Sequence, residues 1–302
     1  ERFPDFLRYH LLCENNKIRK ERLFKLIRAE VQTPAHVFTL MDALEARAEL
    51  FAAIDDAEHE YWIDVYEAKP IIRELNIFQV KQMTPLLFAA WEKLSKPDFV
   101  RILKLVSVIS FRYTVIGSLN TNELEPVYHR AAKALLIGDA NSPAQVFEIL
   151  RSVYVSDEDF QNNFEGKSMD SSGQRKKVLK YILCTFEADA AGKACSWETD
   201  PGSIEHVLPQ NPSDQWDALI PQDRQDEFVY RIGNMTLLEA GINRELGNAA
   251  YSTKRDAYAG SSYELTKAIA NQAPEEWTIP YINERQKALA QRAVHLWRSP
   301  FA

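Results

Sequence analysis

Apolar positions along the first two thirds of the chain recur at helical spacing. Phe99, Ile102, Leu103, Val106, Ile109 and Tyr113 fall at i, i+3, i+4, i+7, i+10 and i+14, which makes one buried helix face. Asp98, following Pro97, marks its start. Within residues 17–28, Ile18, Leu23, Leu26 and Ile27 form a similar face with the cations pointing outward. With further breaks at Thr33-Pro34, Lys69-Pro70, Thr84-Pro85, residues 138–143 and Gly192, residues 1–195 read as about nine helices with short connections. No repeat of fixed period is present in this half.

The pattern changes after about residue 196. Residues 197–200 and 203–208 are short and β-compatible, and residues 232–238 form another such run. Between them lies a polar connection with the turn formers Asn211-Pro212-Ser213 and Ile220-Pro221. Helical character returns from Ala240, and Ile282, Leu289, Ala293 and Leu296 mark a terminal helix face flanked by Trp277 and Trp297. The predicted fold is mainly α. A multi-helix domain over residues 1–195 precedes a small strand–strand–helix unit over residues 196–302, covered by further helices.

Composition narrows the class. The 302 residues, 46% hydrophobic and 26% charged, suit a globular protein with room for two cores. No apolar run is long enough for a membrane span, and Glu1 in place of Met reads as a cut made inside a longer protein, without an intact signal peptide. Cys13, Cys184 and Cys195 are odd in number and make no CxxC pair. That argues against a disulfide framework and a four-thiolate zinc site, and fits a cytoplasmic setting. The formal charge of −7 has the wrong sign for holding nucleic acid by charge alone, so any DNA contact must be local or metal-assisted. The polar loop 166–173 leads into a basic run, residues 174–180, which reads either as a solvated helix face or as a phosphate-backbone contact.

The candidate chemistry lies in SIEHVLPQ, residues 203–210, where Glu205 and His206 stand together before Pro209. Metal-assisted phosphodiester hydrolysis needs a hard cation on oxygen ligands and a base to take a proton from water. A strand ending in Glu205 and His206, a second strand, and a helix carrying Asn243 supply those parts. Neighbours on a regular strand face opposite ways, so a division of labour between the two requires the alternation to relax at the strand end.

The order Glu-His, then Asn234 in GNMTLL, then Asn243, resembles the HNH branch of the ββα-metal nucleases. More narrowly, IEHVLPQ, GNMTLLEAGINRELGN, the 251–258 stretch with Lys254, and the closing Trp277, Arg285 and Trp297 are similar to the C-terminal region of GmrSD-type restriction proteins. The SspE-type phage-defence proteins, which respond to phosphorothioate-modified DNA, share that architecture. The helical half, from FPDFLRYH through FRYTVIG and NTNELEP, is similar to the family's connecting region.

The resemblance implies a divalent-metal-dependent DNA endonuclease of bacterial defence, nicking or cleaving DNA and leaving a 5′ phosphate. It implies His206 as general base, Asn243 as a ligand of one Mg2+ or Mn2+ ion and Glu205 as a second. Asn234 would hold the loop carrying His206, while Lys254 and Asn248 would face the phosphate. Glu205 stands where many HNH domains have the shorter aspartate. LLEAGIN lacks the paired cysteines of zinc-bearing relatives, so no zinc is expected. The family's N-terminal nucleotidase domain, a sensor in the same parent protein, has no counterpart here, nor is there a GxxxxGK[ST] phosphate loop. No membrane partner is expected, and an oligomer is compatible with the sequence.

Residue by residue, blander roles remain open. Asn243 and Asn248, near Gly241 and Gly247, could cap helices, and Lys254 could be a solvated lysine. The terminal tryptophans read as core anchors. A different class of function, a catalytically inactive helical scaffold that binds partners or DNA and works only with the missing N-terminal domain, is favoured by the acidic charge and the long helical half. An RNA nuclease would call for stacked aromatics, and no such signature is present.

Overall fold

The computed structural model describes residues 3–13, 18 and 20–302. Of the 17–28 stretch, Lys17 and Arg19 lie outside the described residues, as does Glu1. The chain divides into two compact units, one of residues 1–156 with 297–302 and one of residues 157–296. The change from helical to mixed texture near residue 196 thus falls inside the second unit.

The first unit is all helical among its described residues. It comprises α1 (Phe3–Leu12), α2 (Leu23–Glu30), α3 (Pro34–Ala53), α4 (Ala68–Phe78), α5 (Thr84–Lys93), α6 (Lys96–Ser110), α7 (Leu124–Ile137) and α8 (Pro143–Leu150). The apolar stripe that predicts α6 is its buried face: Phe99, Ile102, Leu103, Val106 and Ile109 are all fully buried. Its start differs from expectation. Ser95 is the cap, its Oγ accepting from Asp98 N at 3.3 Å and donating to Asp98 Oδ2 at 2.9 Å, so Asp98 lies inside the first turn. After Ser110 the helix widens into a π-helical turn, Phe111–Ile116, which carries Tyr113. This turn places the buried Arg112 against the Val155 carbonyl at 2.9 Å and the Tyr154 ring at 4.7 Å, so the guanidinium is paired and stacked inside the core.

A second buried charge joins α1, α3 and α5. Arg47 donates to Glu92 through Nε at 2.6 Å and Nη2 at 3.1 Å, and its Nη1 lies 3.1 Å from His10 Nδ1. Burial first, then the Arg47 charge, lowers the His10 pKa from 6.5 to about 4, so the ring stays neutral and accepts from Arg47.

The second unit contains α9 (Asp157–Glu165), α10 (Gly173–Ala191), β1 (Ser203–His206), α11 (Gln222–Val229), β2 (Met235–Leu238), α12 (Ala240–Leu246), α13 (Tyr251–Ala259), α14 (Glu264–Gln272) and α15 (Ile279–Leu296). Strands β1 and β2 form an antiparallel pair with Ser203 opposite Leu238 and His206 opposite Met235. With α12 following directly, the predicted strand–strand–helix unit is present in a mainly α fold. Its core gathers Val207, Leu208, Trp216, Phe228, Leu238, Tyr258, Trp277 and Ile282.

Three local expectations change. Residues 197–200 form a turn, closed by the Ser196 carbonyl accepting from Thr199 N at 3.2 Å and Asp200 N at 2.8 Å, and not a strand. The 232–238 run starts as a 3-10 turn, Ile232–Asn234, before β2. The polar connection holds α11, whose sequence QDRQDEFV buries only Gln225, Phe228 and Val229 and shows no apolar stripe.

The 3-10 turn is clamped by α15. Arg285 Nη1 donates to the carbonyls of Gly233 at 2.7 Å and Met235 at 2.9 Å, and Gln286 Nε2 donates to Phe164 O and Lys167 O, each at 2.8 Å. Gly233 is pressed against this helix. A Cβ there would come within 2.5 Å of Ile282 O and 2.9 Å of Gln286 Cβ.

Gly233→Ala is expected to destabilise the protein by about 1–3 kcal/mol, as overpacking against backbone does, measured by chemical denaturation. The linkage of His10 sets a second expectation. Its folded pKa lies below the unfolded value, so the unfolded chain binds the proton first. The stability it contributes is complete above pH 6.5 and is lost as pH falls towards 4. Between pH 7 and pH 4.5, His10→Gln should lose less stability than the wild type.

Candidate active site

The exit of β1 is held by one side chain. Asn234, fully buried just before β2, accepts at Oδ1 from Leu208 N at 2.8 Å and Trp277 Nε1 at 2.9 Å. Its Nδ2 donates to Leu208 O and Val229 O, both at 3.0 Å, and its backbone carbonyl accepts from Val207 N at 2.9 Å. All four hydrogen-bonding positions of the carboxamide are therefore used, which fixes the chain immediately after His206.

Glu205 lies behind the strand in a buried network. Its Oε1 accepts from Lys254 Nζ at 2.7 Å and Tyr258 OH at 2.6 Å, both on α13. Lys254 also donates to the His206 carbonyl at 2.9 Å and is fully buried, so its ammonium is directed at Glu205 and the β1 backbone and not towards solvent. Desolvation lowers the Lys254 pKa while the Glu205 charge opposes that shift. No other described residue hydrogen-bonds Glu205, so Oε2 has no protein partner.

His206 ends β1 with its imidazole 9% exposed and edge-on to Tyr230, the ring centroids 5.9 Å apart. Its Nε2 is buried without a hydrogen-bond partner. Burial first, then the nearby Lys254 charge, lowers its pKa from 6.5 to about 4, while Asp170 acts in the opposite sense. The imidazole is thus neutral at pH 7 and able to accept a proton.

On α12, Asn243 Nδ2 donates to Ser203 Oγ at 2.8 Å and Ile204 O at 3.1 Å. This roots the helix on β1 and leaves Asn243 Oδ1 without a protein partner among the described residues.

Glu205, His206, Asn243 and Asn248 line one cleft of about 460 Å³ together with Ser171, Lys176, Gln210 and Asn211. Asn234 and Lys254 do not line it; both act on the strand from behind. Lys176, in the first turn of α10, and Ser171, whose Oγ accepts from Gln210 Nε2 at 3.0 Å, line it from the segment around the start of α10. Composition points to Lys176 only as one cation of a basic run. Tyr258 and Arg285, which brace the site from the interior, carry no individual sequence signal beyond their place in the resembling stretches.

Residues 154–292 match the family model of the C-terminal domain of GmrSD restriction endonucleases. This segment is similar to that domain. The match includes every residue lining the cleft and nearly all of the second unit. A search of curated proteins returned no match to the chain. The match points to a restriction-related role in defence for this segment, with DNA as the implied substrate. Among the described residues, no helix is long and apolar enough to cross a membrane.

The buried pair sets an expectation for stability. Lys254→Met, which leaves Glu205 charged and unpaired, should cost about 3–5 kcal/mol by chemical denaturation. Adding Glu205→Gln should recover much of that loss, the non-additivity expected of a direct pair.

Proposed function

We propose that the second unit is a divalent-metal-dependent DNA endonuclease, an HNH-like ββα nuclease that nicks or cleaves DNA with a 5′-phosphate product. The observation that carries this reading is the convergence of a neutral His206, Glu205 and Asn243 on one cleft.

The donor set fits a hard cation. Glu205 and Asn243 both line the cleft, and each keeps a side-chain oxygen that no described protein group uses. These residues would hold one Mg2+ or Mn2+ ion. When bound, such an ion neutralises charge on the phosphate and on the departing 3′ oxygen.

The chain's own groups do the rest. His206 takes a proton from water, the water oxygen forms the new P–O bond, and the P–O3′ bond breaks, with a solvent proton completing the 3′ hydroxyl. Asn234 keeps His206 in place from behind. Lys254, through Glu205 and the His206 carbonyl, is a positioning residue in this scheme. Lys176, Asn211 and Asn248 at the cleft face the nucleic-acid backbone, a local cationic and amide-rich contact on an acidic protein. The natural protein would act with the N-terminal nucleotidase domain of GmrSD-type proteins as its sensor, in the bacterial cytoplasm, against modified foreign DNA such as phosphorothioate DNA.

With Mg2+ or Mn2+, the chain is expected to relax supercoiled plasmid, and EDTA should stop it. His206→Ala should lower the rate by about 10²–10⁴-fold, the usual range for loss of a general base. Asn243→Ala should require more metal for the same rate. Equal nicking by wild type and His206→Ala would refute the assignment. Binding without nicking by the wild type would instead favour a scaffold that acts only with its N-terminal domain.

A further inference from the structure

A second group of ligand-type side chains lies in the same unit, outside the cleft. Cys184 is buried on α10, and Cys195 and Asp200 lie in the connection from α10 to β1. One ligand atom from each falls within 4.8 Å of the other two, and Cys195 Sγ is 3.6 Å from Asp200 Oδ2. None of the three lines the His206 cleft.

The arrangement is built rather than incidental. Gly192 ends α10 at φ +63°, a conformation that favours glycine, and the chain turns so that Cys195 returns to Cys184. Asp200 is held at Oδ1 by Tyr263 OH and Gly202 N, each at 2.9 Å, and its backbone carbonyl accepts from Lys180 Nζ at 2.6 Å. Orientation of one carboxylate oxygen by a hydroxyl and a backbone N–H, with the other oxygen turned to thiols, is how outer partners aim a metal ligand. Glu187, one turn along from Cys184, is excluded from the set. Both its oxygens accept from the first N–H groups of α14, Glu264 at 2.9 Å and Leu265 at 3.0 Å.

We propose that Cys184, Cys195 and Asp200 bind one zinc ion, with water as the fourth ligand. Two soft thiolates and one carboxylate select zinc over Mg2+ or Mn2+, which favour all-oxygen sites. Binding releases the two thiol protons to solvent. The ion would tie the end of α10 to the segment that delivers Glu205 and His206. The expectation of no zinc rests on the lack of paired cysteines in LLEAGIN; these ligands lie elsewhere in the sequence and come together only in the folded chain. The inference does not depend on the nuclease reading.

The test uses the whole chain, reduced and stripped with EDTA, titrated with Co2+. The expected result is a thiolate-to-cobalt charge-transfer band in the near ultraviolet, with the visible bands of four-coordinate cobalt, saturating at one equivalent and abolished by Zn2+. Cobalt in the cleft has no sulfur ligand and gives no such band. Cys195→Ser should lose the band, and Asp200→Asn should weaken cobalt binding at least tenfold while circular dichroism stays unchanged. In the wild type, zinc should also slow the reaction of the half-buried Cys195 with a disulfide reagent. Absence of the band, its persistence in Cys195→Ser, or equal thiol reactivity with and without zinc would overturn the proposal.

Discussion

The carboxamide of Asn234 is the constraint on which the second unit turns. It joins the chain leaving β1, the end of α11 and the indole of Trp277, three segments far apart in sequence, with every donor and acceptor it has. A buried amide that satisfies only part of its capacity costs more than it contributes, so such a four-way joint specifies one geometry and penalises the rest. The residue two places before the joined Leu208 is the histidine at the cleft, whose backbone inherits that precision.

Behind the same strand, Glu205, Lys254 and Tyr258 make a buried polar network of a different kind. A buried ion pair adds little net stability once desolvation is counted, but it resists any rearrangement that would separate its charges. Here it couples α13 to β1 through the Glu205 side chain and the His206 carbonyl at once. The two networks divide the work: the amide fixes the path of the backbone, and the charges fix the helix that shields it. The cleft side is left to groups with unused acceptors.

Much of this was legible from residue pattern. The α6 stripe was plain because Phe99, Ile102, Leu103, Val106 and Ile109 keep strict helical spacing, and such a face has few alternatives. The strand–strand–helix order followed from two short β-compatible runs and the return of helical texture. What escaped had physical reasons. In α11 the helix is held mainly by tertiary contacts at Phe228 and Val229, so no periodic stripe announces it. At 197–200 a local turn at the Ser196 carbonyl outcompeted strand propensity. Lys254 looked like a candidate surface cation because burial of an ammonium depends on a partner 49 residues earlier, and single-residue reading cannot see that partner. Lys176 was visible as charge, but only the fold brings it to the same cleft as His206.

Gly233 pressed against Ile282 and Gln286, with Arg285 reaching over the same turn, also imposes an order in time. A ribosome releases residues 203–238 well before α15, so the hairpin emerges with its clamp still unsynthesised. The hairpin cannot be locked until the last helix of the unit is made. A chain interrupted before residue 285 would carry every residue of the cleft without the Arg285 and Gln286 contacts that hold the turn before β2. Completion of synthesis is thus itself a condition for the geometry of the cleft.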